Sequence, residues 1–311
     1  MTIHRILRAQ KMGKRKPSWK PGLTDAMRAA RYEFAKKYEH WKLEDWKNVI
    51  WSDETSVVLG HRRGAMRVWR KPAERYHKTC IRTRWKGVSE FMFWGCFSYD
   101  RKGPMHIWKK ETAKERREAN TELETINQQL EPMARAEWEV TTALRRMHLR
   151  GRPGGRAPTW RFTAQNGAVT RGKGTGIDWY RYQKLILKDK LLPFAQSCAI
   201  ERPGTIVQED KAPAHSSRHQ QVVFDAYNVS RLLWPGNSPD LNAIEPCWPY
   251  LKRITIRKGA PSVRKTAERL WIKAWDDLEQ ERIRRWIERI ERHIQEVLRL
   301  EGGNEYREGR S

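Results

Sequence analysis

The feature that most constrains this chain is the order of its short apolar runs and the acidic stops that follow two of them. Val49-Ile50-Trp51 stops at Ser52-Asp53-Glu54. Apolar runs at 56–59, 67–69, 91–97 and 105–108 follow, divided by Gly, Pro and charged residues. Runs of that length and spacing read as a meander of about four or five strands. Further on, Thr205-Ile206-Val207-Gln208 reads as a strand stopping at Glu209-Asp210, residues 220–227 as a helix, and residues 229–234 as a strand closed by Pro235-Gly236. Strand–helix–strand order implies parallel pairing. A meander joined to such a unit gives an α/β fold built on a mixed sheet.

Composition narrows the function. The 311 residues hold 63 Lys+Arg against 37 Asp+Glu, a net charge of +26. With 16 Trp, nine Tyr and seven Phe, the chain is not a solvated disordered tail. A surplus of that size points to a polyanionic partner, nucleic acid first. No run reaches the roughly 18–20 apolar residues of a membrane span, so no membrane partner is expected. Cys80, Cys96, Cys198 and Cys247 stand far apart, without C-x-x-C or paired His spacing. They read as reduced thiols, not zinc ligands.

The chain divides into five parts. Residues 1–40 are a basic lead-in with 11 Lys/Arg and three Asp/Glu. From Thr24, a plausible N-cap, it turns helical, with Met27, Ala30, Phe34 and Tyr38 at helical spacing. Residues 41–108 and 178–255 carry the strands. Residues 109–177 interrupt them: a charged helical arm to 149, with Leu123, Ile126, Leu130 and Met133 as a thin stripe, then a glycine-rich flexible stretch, 150–177, with six Lys/Arg and no acid. A helix from 178 is expected to end near Pro193 or just beyond, and another to begin near Ser238 or Asn242. Residues 256–311 are helical, with Ala267, Leu270, Trp271, Ala274, Trp275 and Leu278 as one stripe and Ile283, Ile287, Ile290, Ile294 and Val297 as another.

Three acids stand out by context. Asp53 and Asp210 end apolar strands, and Glu245 lies early in a helix. A carboxylate at a strand end projects from a rigid frame into the crevice above a sheet. Three close carboxylates repel unless cations neutralise them. Oxygen ligands suit magnesium or manganese, and two such ions can serve a phosphodiester from both sides. Strand-end acids also serve as caps or surface ion pairs, and spacing alone leaves both readings open.

The surrounding strings resemble a known family. Residues 46–56, with Trp51-Ser52-Asp53-Glu54 at their centre, are similar to the first catalytic block of the Tc/mariner superfamily of cut-and-paste DNA transposases. Phe93-Trp94-Gly95-Cys96-Phe97 resembles its central strand. Gln208-Glu209-Asp210-Lys211-Ala212-Pro213-Ala214-His215 resembles the second block. Residues 234–245, with Trp248, resemble the third. Between Asp210 and Glu245 lie 34 residues, the interval of the Asp-Asp-34-Glu branch.

The resemblance implies an RNase H-like core whose catalytic and metal-binding triad is Asp53, Asp210 and Glu245. It implies two Mg2+ or Mn2+ ions, hydrolysis of a phosphodiester at a transposon end, and attack of the freed 3′-hydroxyl on target DNA. The expected partners are terminal inverted repeats and target DNA, with a homodimer allowed; the expected location is the nucleus. Residues 5–20 resemble the tail of the family's helix-turn-helix region, so the chain reads as N-terminally truncated. Candidate phosphate contacts are Lys211, His215, Arg150, Arg152, Arg156, Arg161, Arg171, Lys173, Lys14, Arg15 and Lys16. A capping role for His215 is equally open, and Lys211 stands where the family commonly has Asn. Glu54 and Glu209 should face away from their neighbouring ligands, because strand side chains alternate. Two other readings are a catalytically silent DNA-binding remnant and a basic nucleic-acid-packaging protein.

Overall fold

The structure, a computed structural model, describes residues 21–60, 90–148, 159–172, 176–232, 234–306 and 308. Five strands form one sheet: β1 (Val49–Val58), β2 (Glu90–Phe97), β3 (Lys102–Ile107), β4 (Ile206–Gln208) and β5 (Ser230–Leu232), in the order β3-β2-β1-β4-β5. The first three pair antiparallel as a meander. β4 pairs parallel with both β1 and β5. The sheet is therefore mixed, as the order of runs predicts. The run at 67–69 and Cys80 lie outside the described residues.

One strand is longer than expected. The runs on either side of Asp53 join, because residues 51–58 pair with 90–97 along the whole length of β2. The ladder carries Ser52, Asp53 and Glu54 through a stretch whose polarity reads as a stop; pairing overrides local propensity. Asp53 thus lies within β1 and does not end it.

Both faces of the sheet are covered, so β1 alternates between two cores. Val49, Trp51 and Val57 point to one core, with Phe93, Trp248, Trp271 and Trp275. Ile50 points to the other, with Trp94, Tyr182, Ile186 and Phe224. The first core is closed by α7 (Cys247–Thr255), α8 (Arg264–Asp276), α9 (Gln280–Ile287) and α10 (Ile290–Arg299). Every residue of the two C-terminal stripes is buried except Leu270. The second core is closed by α4 (Trp179–Tyr182), a π-helical stretch Gln183–Leu191, α5 (Leu192–Glu201) and α6 (Arg218–Ala226).

The rod from 179 to 201 does not end at Pro193. Leu192 N–H donates to Leu187 O, five residues back, and Pro193 follows at the start of α5. The absent proline N–H falls where a new helical segment begins, so it costs little.

Helix α1 (Asp25–Lys37) is capped by Thr24 as expected, Met27 N–H donating to Thr24 Oγ1 at 3.3 Å. Its buried face differs: Arg31, Phe34 and Ala35 are buried, while Met27 and Ala30 are exposed. Arg31 is fully buried and forks onto Asp240 at 2.7 and 2.6 Å, while its Nε donates to Gly302 O at 2.8 Å. Tyr306 also donates to Asp240, at 2.7 Å. Periodicity cannot reveal a charged core position whose partner lies 209 residues away. After the short α2 (Leu43–Trp46) the chain enters β1.

The interruption holds α3 (Ala113–His148), 36 residues long with Pro132 inside it. Residues 159–172 are not a free linker: they run back along α3. Asn127 Nδ2 donates to Val169 O at 2.9 Å and Asn127 Oδ1 accepts from Val169 N–H at 2.7 Å. Among the described residues, no helix is long and apolar enough to cross a membrane. Cys96, Cys198 and Cys247 are free and buried.

Candidate active site

β4 keeps β1 company only briefly. Val49, Ile50 and Trp51 pair with Ile206, Val207 and Gln208, and there β4 stops. Two residues past the last pair stand Asp53 on one chain segment and Asp210 on the other. Ser52 Oγ donates to Gln208 O at 2.9 Å and holds the two backbones together at that point. The gap where β4 leaves β1 is thus flanked by both aspartates.

Glu245 reaches the region from a third element. It lies in the turn before α7, two residues earlier than the helix, not early within it. Leu241, Ala243 and Ile244 are buried and anchor that turn. Asn242 Oδ1 accepts from Ile244 N–H at 3.3 Å, and Glu245 N–H donates to Asn242 O at 3.2 Å. Three residues on, Trp248 Nε1 donates to Asp53 Oδ2 at 3.3 Å. The same turn and helix therefore carry Glu245 and touch Asp53.

The electrostatics separate the three acids. Burial pushes the Asp53 carboxyl well above the ordinary carboxylate range, and the charges of Glu245 and Glu54 push it further. Hydrogen bonds from Glu54 N–H and Trp248 only partly oppose this. Asp210 behaves oppositely. Burial would raise it, but contact with His215 and a hydrogen bond from Ala212 N–H hold it below the usual range. His215 Nδ1 lies 2.6 Å from Asp210 Oδ1, and its Nε2 lies 3.4 Å from Glu54 Oε1. Burial works against a charged imidazole here, yet Glu54 and Asp210 outweigh it and raise His215 well above its usual value. The ring also packs on Tyr182, with centroids 4.1 Å apart.

The structure thus brings Asp53 and Glu245 into mutual repulsion and turns Asp210 onto His215. Among the described residues, no three His, Cys, Asp or Glu side chains stand at metal-holding spacing. The chemistry of the donors still fits a divalent cation. They are hard oxygens, and magnesium is commonly held by only one or two carboxylates. A cation would also relieve the repulsion that burdens Asp53.

Glu54 and Glu209 are not idle: both join the cluster of His215 and Tyr182 that Asp210 also touches. Glu209 is buried, accepts from Tyr182 Oη and pairs with Arg231 at 3.2 Å. Glu54 reaches His215 from across the strand. A His five residues after Asp210 and a Trp three after Glu245 are the sequence signals for the contacts of His215 and Trp248. Nothing local signals Tyr182.

The basic candidates separate as well. Lys211 and Arg161 are exposed. His215 is buried, so it contacts carboxylates and does not stand at the surface. Arg171 is only 7% exposed in its side chain and pairs with Asp178 at 2.7 Å and Glu111 at 2.8 Å. Its charge is satisfied within the protein, which corrects the expectation of an open phosphate contact. Lys14, Arg15, Lys16, Arg150, Arg152, Arg156 and Lys173 lie outside the described residues.

Comparison with known proteins defines the class. Sequence profiles match residues 186–267 as a DDE superfamily endonuclease and residues 1–40 as a transposase helix-turn-helix segment. The fold is that of the Mos1 mariner transposase. A pre-cleavage Mos1 transpososome superposes with a TM-score of 0.62 at 12% identity, over 97% of this chain and 71% of that one. The Mos1 catalytic domain gives 0.53 at 11% identity, over 93% and 100%. The core is therefore RNase H-like. The chain is 26% identical to the Tc1 transposase of Caenorhabditis elegans over 302 residues, 97% of this chain and 85% of that protein. It is 25% identical to the Tcb1 transposase of Caenorhabditis briggsae over 303 residues, 97% and 85%. In sequence and in fold the chain is thus similar to the Tc1/mariner transposases, and residues 186–267 match the DDE superfamily endonuclease.

Proposed function

We propose that this chain cuts DNA phosphodiesters at transposon ends and joins the freed 3′-hydroxyl to target DNA, with Asp53, Asp210 and Glu245 as the acting carboxylates. The observation that carries the reading is the meeting of three elements at the edge where β4 leaves β1. There Asp53, half-buried, feels the charge of Glu245, and Asp210 stands across the gap. Acids that repel one another are held together at a cost unless a cation or a proton compensates.

A divalent cation, when bound, would supply charge neutralisation at the phosphate and activate the attacking oxygen. Asp53 and Glu245 would hold it, with Asp210 after release from His215. The protein's own residues do the positioning. Trp248 fixes one Asp53 oxygen, and Ser52 ties β1 to β4. Phosphoryl transfer of this kind depends on positioning and charge more than on a protein nucleophile. Mos1 structures solved with magnesium, and with transposon-end DNA, support the assignment of cation and partner by analogy. Terminal repeats, target DNA and a nuclear location follow from the family reading. Lys211 and Arg161, both exposed, are the described candidates for phosphate contact.

The test is nicking of DNA carrying the flanking terminal repeats, with Mg2+ or Mn2+, by the wild-type chain and by Asp53→Asn. Metal-dependent nicks are expected from the first and none above background from the second. Binding without nicks by the wild-type chain would favour a silent DNA-binding remnant.

A further inference from the structure

Past Pro132, helix α3 carries its apolar stripe away from the core. Ala119 and Leu123 are buried, and Ile126 and Leu130 pack against their cluster with Val169 and Tyr180. The stripe continues as Met133, Val140, Leu144 and Met147, which are 69, 61, 50 and 60% exposed. The flank of the helix at Trp138 is already taken, since Trp138 packs on Trp160 with centroids 5.5 Å apart. Ile126, Met133, Val140 and Met147 recur every seven residues, the repeat that faces one apolar seam to a partner helix.

Charge on the same stretch says what the partner is. Residues 131–139 carry Glu131, Glu137 and Glu139 with Arg135, whereas residues 140–147 carry Arg145 and Arg146 and no acid. The stretch is neutral within a chain of net charge +26, so it neither attracts a polyanion nor repels a second copy. Its acidic half precedes its basic half. Two copies laid antiparallel set each acidic half against the other's basic half, while parallel copies set like against like.

We propose that residues 131–147 of α3 form a self-association surface on which two copies of this chain pair antiparallel about Val140. Met133 of each copy packs on Met147 of the other, and Ala136 on Leu144. A two-fold axis through Val140 makes the contact isologous and closed, so it yields a dimer and not a fibre. Because α3 is folded within one chain, pairing bears no helix-nucleation cost.

The test uses the full chain, freed of DNA, with Cys80→Ser to remove one native thiol; Cys96, Cys198 and Cys247 are buried. Under mild oxidation, Val140→Cys is expected to cross-link to itself. Met133→Cys and Met147→Cys are expected to cross-link when mixed and not alone. Self-linking of Met133→Cys and Met147→Cys would mean parallel pairing and overturn the proposal. In sedimentation, the parent chain is expected to run as a dimer. Val140→Glu, at an exposed position, should run as a monomer with unchanged far-UV circular dichroism. Arg145→Glu with Arg146→Glu, which makes both halves acidic, should weaken the dimer. A monomeric parent chain, or a dimer that survives Val140→Glu, would overturn the proposal.

Discussion

At the residue scale, the chain places charged groups where only a partner makes them tolerable. Arg31 is fully buried because Asp240 takes its fork, and Asp240 is held below the usual carboxylate range because that pairing outweighs its burial. Its contribution to stability is present at neutral pH and lost as pH falls through its lowered value. His106 shows the opposite logic. Burial lowers it to about 4, helped by the nearby charges of Lys190, Arg181 and Lys109 and opposed by Asp189. Between its ordinary value of 6.5 and about 4, the unfolded chain takes up a proton at this site that the folded chain does not. Stability should therefore fall as pH drops through that window. His106→Gln should flatten part of the decline in urea-unfolding curves at stepped pH. A decline unchanged by the substitution would reassign it to the carboxylates. None of these pairings is visible in the sequence, since Arg31 and Asp240 each read alone as a solvated charge.

At the element scale, β2 shows why a short string can be informative. Gly95 pairs with Asp53 across the ladder, and a Cβ added there would come within 2.6 Å of the Trp275 ring. The missing side chain lets α8 close over the sheet beneath the proposed site. Gly95→Val should destabilise the fold by about 1–3 kcal/mol, as overpacking of a filled core does. A lowered Tm with retained secondary structure is the expected result, and an unchanged Tm would show that Trp275 can move aside. The strands and the C-terminal helices were legible because their apolar periods are strong. The boundaries were less so, for identifiable reasons. Polar Ser52-Asp53-Glu54 is carried through β1 by pairing with β2. Pro193 is absorbed by a π-helical stretch. The helix expected from Ser238 or Asn242 starts only at Cys247, after a turn that presents Glu245.

At the scale of the whole molecule, the surplus of 26 positive charges is unevenly used. Residues 1–40 hold 11 Lys/Arg against three acids, yet Arg31 is spent within the core and, in the interruption, Arg171 pairs with two acids. Charge counting sees the field and not its internal neutralisation. If the lead-in tracks phosphates, Lys14, Arg15 and Lys16 changed together to Ala should lessen the slope of log affinity against log salt by up to about three. An unchanged slope would place DNA elsewhere on the chain. The proposed site is itself a property of the whole fold: β1, the segment after β4 and the turn before α7 supply one carboxylate each from positions 53, 210 and 245. The central claim is that these three form one cation site, and direct Mn2+ titration followed by electron paramagnetic resonance tests it without relying on turnover. The wild-type chain should bind Mn2+, and Asp53→Asn, Asp210→Asn and Glu245→Gln should each weaken binding by more than about tenfold. Equal Mn2+ affinity in the wild-type chain and all three variants would contradict it.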